Sequence, residues 1–146
     1  MKALLIRHAH AVDGKPGSDF SRWLSEKGRA LARQVGERLR DDGIVPDVIL
    51  SSPLPRALQT AELVARGLRF RGVVEILPEL APDESVAAAT AALGQRGGLI
   101  AAVGHEPNIS ALAESLAGKS VGGFRKGQAM LIRDGKIDYR LDPDSL

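Results

Sequence analysis

The sequence predicts an α/β three-layer sandwich: a mostly parallel central sheet of about six strands, helices on both faces, and an antiparallel hairpin at the C-terminal end. Three observations carry this. Short apolar runs at 2–6, 47–51, 73–77 and 99–103 alternate with longer amphipathic stretches, the pattern of strand–helix–strand units. Leu4-Leu5-Ile6 is apolar at consecutive positions, as a parallel strand covered on both faces must be. The last third then changes character, with strand-like runs at 128–133 and 136–141 separated by Asp134-Gly135, a tight-hairpin dipeptide.

Each element has local support. After the first strand, 11–24 has loop chemistry (Asp13, Gly14, Lys15, Pro16, Gly17, Ser18, Asp19) and is long enough to be a functional loop. Ser25 is a helix N-cap with Glu26 in the first turn, and Gly43 ends the helix after Asp42. Leu31, Val35 and Leu39 share a face that Ala30 and Ala32 widen. The next helix is expected to take Ser52 as N-cap and Pro53 as its first residue; Pro55 falls in the same turn, where backbone N–H groups have no helical partner. Residues 73–77 read as an edge strand and 78–83 as a loop. A helix over 85–93 breaks at Gly94, Gly97 and Gly98, and the strand 99–103 turns into a helix over 107–117 with Ile109, Leu112 and Leu116 inward. Residues 118–127 read as loop.

At 146 residues the chain fits a single domain, 1–146, that buries roughly 70% of its unfolded surface. Absent cysteines exclude a disulfide scaffold, a thiol nucleophile and cysteine-ligated metal, and fit a reducing compartment. The N-terminal apolar run stops at Arg7, too short for a signal-peptide core or a membrane span, so the expectation is a cytoplasmic protein with no membrane partner. A net charge of +2 with 3% aromatic residues argues against nucleic-acid binding, which needs a basic patch with stacking rings. Arg66, Arg69 and Arg71 sit where a helix ends and read as a solvated terminus. No apolar stripe is left over after the core is assigned, so a monomer is expected.

The chemistry-bearing residues lie at strand ends. Three apolar runs deliver Arg7 and His8, Arg56 through Ser51-Ser52-Pro53-Leu54-Pro55, and His105 through Gly104. Right-handed crossovers bring the carboxyl ends of parallel strands to one edge, where α/β proteins bind ligands. Two guanidiniums suit phosphate oxygens, and a neutral imidazole is a competent nucleophile. The set therefore reads as phosphoryl transfer.

These residues also resemble a family. Arg7-His8 after the first strand, S-S-P-L-x-R-A-x-Q-T-A over 51–61 and Gly104-His105-Glu106-Pro107 are similar, in order and spacing, to the histidine phosphatase superfamily, with its phosphoglycerate mutase-like fold. The short chain, Leu24-Ser25-Glu26-Lys27-Gly28 and G-H-E-P resemble the SixA-like protein phosphohistidine phosphatases. The resemblance implies that His8 attacks phosphorus and is transiently phosphorylated, that Arg7, Arg56 and His105 bind phosphoryl oxygens, and that neither metal nor cofactor is used. It implies a shallow pocket and a phosphorylated protein substrate such as a histidine phosphotransfer domain.

Two departures stand out: Ala9 where many members have Gly, and His10 in place of a carboxylate. His10 reads either as a rim residue contacting a partner or, preferably, as a partly exposed loop histidine. Glu79 is the possible proton donor, balanced evenly against a plain loop carboxylate. Glu106 reads as a helix-entry residue near the positive end of the dipole. Ser51 and Ser52 read as strand-end and cap residues, and Asn108 as a helix-turn residue. Three alternatives stay open: a small-molecule phosphomonoesterase using the same His8, a three-histidine metal site from His8, His10 and His105, and a non-catalytic phospho-ligand module.

Overall fold

The computed structural model describes residues 1–14, 17 and 19–146. Of the predicted 11–24 loop, Lys15, Pro16 and Ser18 lie outside the described residues. Six strands form one sheet: β1 (Lys2–Arg7), β2 (Val48–Ser51), β3 (Glu75–Ile76), β4 (Leu99–Gly104), β5 (Ala129–Arg133) and β6 (Lys136–Leu141). Their spatial order is β3-β2-β4-β1-β5-β6. The first four run parallel, while β5 is antiparallel to β1 and β6 to β5. Among the described residues four α-helices complete the α/β fold: α1 (Glu26–Asp41), α2 (Pro55–Leu68), α3 (Val86–Gly94) and α4 (Asn108–Ala117).

Alternate residues of each strand feed two cores, because side chains on a strand point to opposite faces. Leu4 and Ile6 of β1 join Ile49, Val103 and Leu131 beneath α1 and α2, which contribute Val35, Leu39, Ala57, Ala61 and Val64. Ala3 and Leu5 join Leu50, Ile100, Ala102 and Met130 beneath α3 and α4, which contribute Leu93, Ile109 and Leu112. Helices α1 and α2 cross closely at two glycines: a Cβ on Gly36 would stand 2.2 Å from the Val64 carbonyl oxygen, and one on Gly67 2.3 Å from that of Arg33. The hairpin between β5 and β6 turns through Asp134 (φ 50°) and Gly135 (φ 80°), both left-handed as a two-residue primed turn requires.

Several boundaries differ from expectation for physical reasons. Helix α2 begins at Pro55, not Pro53; the Ser52 hydroxyl accepts from the Leu54 N–H, making a tight turn ahead of the helix instead of capping it. The edge strand shrinks from 73–77 to Glu75–Ile76, since it pairs only with Leu50 and Ser51 of β2. Ala30 is exposed: at 100° per residue it lies far round α1 from Val35 and Leu39. Leu116 packs against the second core only partly buried. Ser25 caps α1 as expected, accepting from the Gly28 N–H, and Ser85 caps α3 in the same way.

Candidate active site

Strands β2, β4 and β1 lie side by side and parallel, so their carboxyl ends meet at one edge with β4 between the other two. The pairing continues one residue past the sheet: the His8 N–H donates to the Gly104 carbonyl (3.0 Å) and the Ser52 N–H to that of Val103 (3.0 Å). This register sets His8 beside His105, with Ser52 one position behind, level with Gly104. The His8 and His105 ring centroids are 5.1 Å apart. His8, His105 and Arg56 are 7%, 3% and 6% exposed, a degree of burial uncommon for such groups without a function or a partner.

The His8 Nδ1–H donates to the Ala9 carbonyl oxygen at 2.7 Å, which leaves Nε2 carrying the lone pair. The Ala9 peptide is itself held. Its N–H donates to the Thr60 hydroxyl (3.1 Å), and that hydroxyl donates to the Arg56 carbonyl (2.7 Å), tying the turn that carries His8 to the first turns of α2. Burial pushes the His8 imidazole down from 6.5 to about 4; the Ala9 carbonyl opposes this, and the positive charges of Arg56, Arg7 and Lys126 add to it. His105 is pushed down to about 3, first by burial and then by His8 and Arg56, with Asp19 opposing. Both rings are neutral at pH 7.

The two arginines are held differently. Arg7 Nη1 donates to the Phe124 carbonyl at 2.8 Å. Arg56 Nη1 donates to the Asp19 carbonyl at 2.8 Å, and its Nη2 lies 3.4 Å from the Asp19 carboxylate. Among the described residues, the buried side-chain nitrogens and oxygens without a hydrogen-bond partner are Arg7 Nε, Arg56 Nε and His105 Nδ1. All three belong to this cluster. Buried polar nitrogens are ordinarily satisfied, and the two guanidinium Nε–H groups are donors, so this concentration of unspent capacity suits a site that receives an anion.

The sequence-predicted residues sort clearly. Arg7, His8, Arg56 and His105 come together. Ser52 does more than turn the chain, since its hydroxyl meets His105 Nε2 at 2.7 Å. Glu79 is half-buried and lines, with His105 and Asn108, a cavity of about 10 Å³, room for at most one water. Asn108 tethers the Pro82 and Glu84 carbonyls. His10 turns aside, its Nδ1 meeting the Ser25 hydroxyl at 2.7 Å, and burial and then Lys27 hold its pKa below the usual value. Among the described residues no three His, Cys, Asp or Glu side chains gather as metal ligands, so the three-histidine arrangement is not formed.

Other residues escaped sequence reading. Asp19 was one polar residue in a loop; its carboxylate pairs with both Arg22 (3.1 Å) and Arg56, and these two contacts hold it below the usual carboxylate range. Thr60 and Gln59 are explicit in the 51–61 motif, yet only the fold shows that Thr60 reaches Ala9 and that the Gln59 amide oxygen accepts from the Leu24 N–H at 2.7 Å. Beside Arg7 runs an open groove of about 730 Å³ with Lys27, Arg125 and Lys126 on its walls and Ala30, Leu31 and Pro143 along it.

The sequence profile of the histidine phosphatase superfamily (branch 1) matches residues 3–81. An uncharacterized protein of Picosynechococcus sp. is 33% identical over 122 residues, covering 80% of this chain and 73% of that one. The 2,3-bisphosphoglycerate-dependent phosphoglycerate mutase of Leifsonia xyli subsp. xyli is 40% identical over 62 residues, but that match spans only 24% of the mutase. Among solved structures, the protein histidine phosphatase SixA complexed with tungstate superposes with a TM-score of 0.90 at 24% identity, over 99% of each chain. The putative phosphohistidine phosphatase SixA from Agrobacterium tumefaciens superposes with a TM-score of 0.86 at 26% identity, over 97% of each. With the motif half of the chain matched to the family and the whole chain superposing on SixA structures, this protein belongs to the histidine phosphatase superfamily and has the SixA-like form of its fold.

Proposed function

We propose that the protein is a protein phosphohistidine phosphatase acting through a covalent phosphohistidine on His8. The observation that carries the reading is the trio of buried, unpartnered nitrogens, Arg7 Nε, Arg56 Nε and His105 Nδ1, grouped around a neutral imidazole whose Nε2 is free to attack. In the first step His8 Nε2 forms a bond to phosphorus as the bond from phosphorus to the substrate imidazole breaks, the leaving nitrogen keeping the electron pair and taking a proton from solvent. In the second, water attacks phosphorus, the bond to His8 breaks, and phosphate departs. Arg7, Arg56 and His105 supply donors to the equatorial oxygens, where phosphoryl-transfer charge develops. An imidazole leaving group, whose conjugate acid has a pKa near 6.5, asks for little acid catalysis; Glu79, the possible donor, is therefore dispensable for this substrate.

The substrate class is supported by the SixA proteins this fold resembles, one of which is described as a protein histidine phosphatase, and by the open groove beside Arg7, which leaves room for a side chain displayed on a folded protein such as a histidine phosphotransfer domain. The test is phosphate release from a phosphohistidine-labelled phosphotransfer domain, in EDTA, by wild type and His8→Ala. Release by wild type alone, with an acid-labile phosphoenzyme, is expected. Failure there, together with hydrolysis of phosphate esters that Glu79→Gln slows by about a hundredfold, would overturn the reading in favour of a small-molecule phosphomonoesterase.

A further inference from the structure

Glu106 follows His105 directly, yet its carboxylate is spent on the chain that lies over Arg7. Oε1 accepts from the Ser110 N–H at 2.9 Å, as a helix-entry carboxylate should. Oε2 accepts from the Ser110 hydroxyl at 3.1 Å and, from a different part of the chain, the Phe124 N–H at 3.2 Å. The approach is close: a Cβ on Gly123 would stand 3.3 Å from Oε2. Phe124 is then fixed twice, by this hydrogen bond and by its ring, which is buried in the core beneath α3 and α4. Its carbonyl receives Arg7 Nη1 at 2.8 Å.

Because a guanidinium is rigid and planar, fixing one nitrogen restricts the whole plane. With Nη1 committed to Phe124, the edge formed by Nε and Nη2 is left for an anion, and Nε is the buried nitrogen without a partner. The same stretch grips the Arg7 backbone: Gly127 N–H donates to the Arg7 carbonyl and Arg7 N–H to that of Gln128, each at 3.1 Å. These backbone contacts alone leave the guanidinium free to rotate; the Phe124 carbonyl is what aims it.

We infer that Glu106 is a positioning residue which, through the backbone of Phe124, holds the Arg7 guanidinium with its Nε edge toward the oxyanion site. The inference rests on the proposed function only in taking that site to receive phosphoryl oxygens. Three donors converge on two carboxylate oxygens, so Glu106→Gln, with one acceptor and an amide NH₂ in place of the other, cannot satisfy both Ser110 and Phe124.

The probe is tungstate, titrated into wild type, Glu106→Gln, Ser110→Ala, Arg7→Ala and the Arg7→Ala/Glu106→Gln double variant. Glu106→Gln is expected to weaken tungstate about tenfold, whereas Ser110→Ala, which removes a contact to the same carboxylate but spares Phe124, changes it by less than about twofold. In the Arg7→Ala background the Glu106→Gln effect is expected to vanish, the signature of coupling through Arg7. Equal losses in both backgrounds, or none in either, would overturn the inference.

A second readout needs no anion: the Arg7 Nε–H resonance of the ligand-free protein is expected to be resolved in wild type and Ser110→Ala and averaged in Glu106→Gln. If wild type binds no tungstate, the oxyanion reading falls, and this resonance still decides the role of Glu106: unchanged in Glu106→Gln, it refutes it. Should Glu106→Gln not fold, Glu106→Asp, one methylene too short to span Ser110 and Phe124, carries the same comparisons.

Discussion

Lowering the pH from 7.5 to 5 should destabilise this protein through two particular side chains. His8 and His105 titrate near 4 and 3 in the folded protein against 6.5 for an ordinary histidine. Where a base has a depressed folded pKa, the unfolded chain takes up its proton first, so stability is full above about 6.5 and is lost as pH falls from there through the folded value. At pH 5 an unfolded histidine is almost wholly protonated while both buried rings stay neutral, which costs about 2 kcal/mol for each and about 4 together. Against a total of roughly 5–15 kcal/mol for a domain, that is a large loss. The rings are 5.1 Å apart, so a proton on one raises the cost of a proton on the other and keeps both steps below this window. The assay is urea unfolding at pH 7.5, 6 and 5 for wild type and the His8→Asn/His105→Asn double variant. Only the slope against pH matters, since the substitutions change absolute stability as well. The wild-type slope should be steeper by about 4 kcal/mol over the range; parallel profiles would refute the reasoning, as would imidazole resonances titrating near 6.5.

The same shift means that His8 contributes no acid limb to kcat/KM between pH 5.5 and 8, measured with a substrate whose own ionisation is known; a limb near 6.5 that is lost with His8 would count against it. Thr60→Val removes the hydroxyl between Ala9 and Arg56 and leaves the buried Ala9 N–H unsatisfied, so chemical denaturation should show a loss of about 1–3 kcal/mol and turnover should fall at least about tenfold, with Thr60→Ser restoring both. Gly36→Ala puts a methyl 2.2 Å from the Val64 carbonyl oxygen, and pushing α1 off α2 should cost about 1–3 kcal/mol by the same measurement. Asp19→Asn removes the carboxylate beside Arg56 and should tighten tungstate binding about two- to tenfold in a calorimetric titration at low salt; weaker binding would mean that Asp19 serves to place Arg56 rather than to neutralise it.

Much of the site was legible because its residues sit where strand physics alone puts them. An apolar run ending in Arg7-His8 or Gly104-His105 can be read without knowing what lies beside it, and parallel pairing then fixes the shared edge. Asp134-Gly135 and Ser25 announce themselves through local backbone chemistry in the same way. What sequence reading missed depends on contacts across the chain. Asp19 meets Arg56 at a separation of 37 residues, Thr60 meets Ala9 at 51, and Arg7 meets Phe124 at 117; no periodicity or turn preference reports such pairs. Ser52 shows the failure in miniature: its type promised a helix cap, but the hydroxyl is engaged by the Leu54 N–H and by His105, and the helix starts beyond it.

The contact between Asp19 and Arg56 bears on how a catalytic cycle of the proposed kind would end. Inorganic phosphate is itself an oxyanion, and a pocket made only of cations and neutral imidazoles would retain it, leaving the enzyme occupied by its own product. Arg56 has a resident carboxylate beside it, on an exposed turn at the mouth of the site, ready to take the guanidinium back as phosphate leaves. In such a cycle some affinity for the incoming phosphoryl group would be exchanged for release, and the rate at which the site empties would depend on the 19–22 turn as much as on His8.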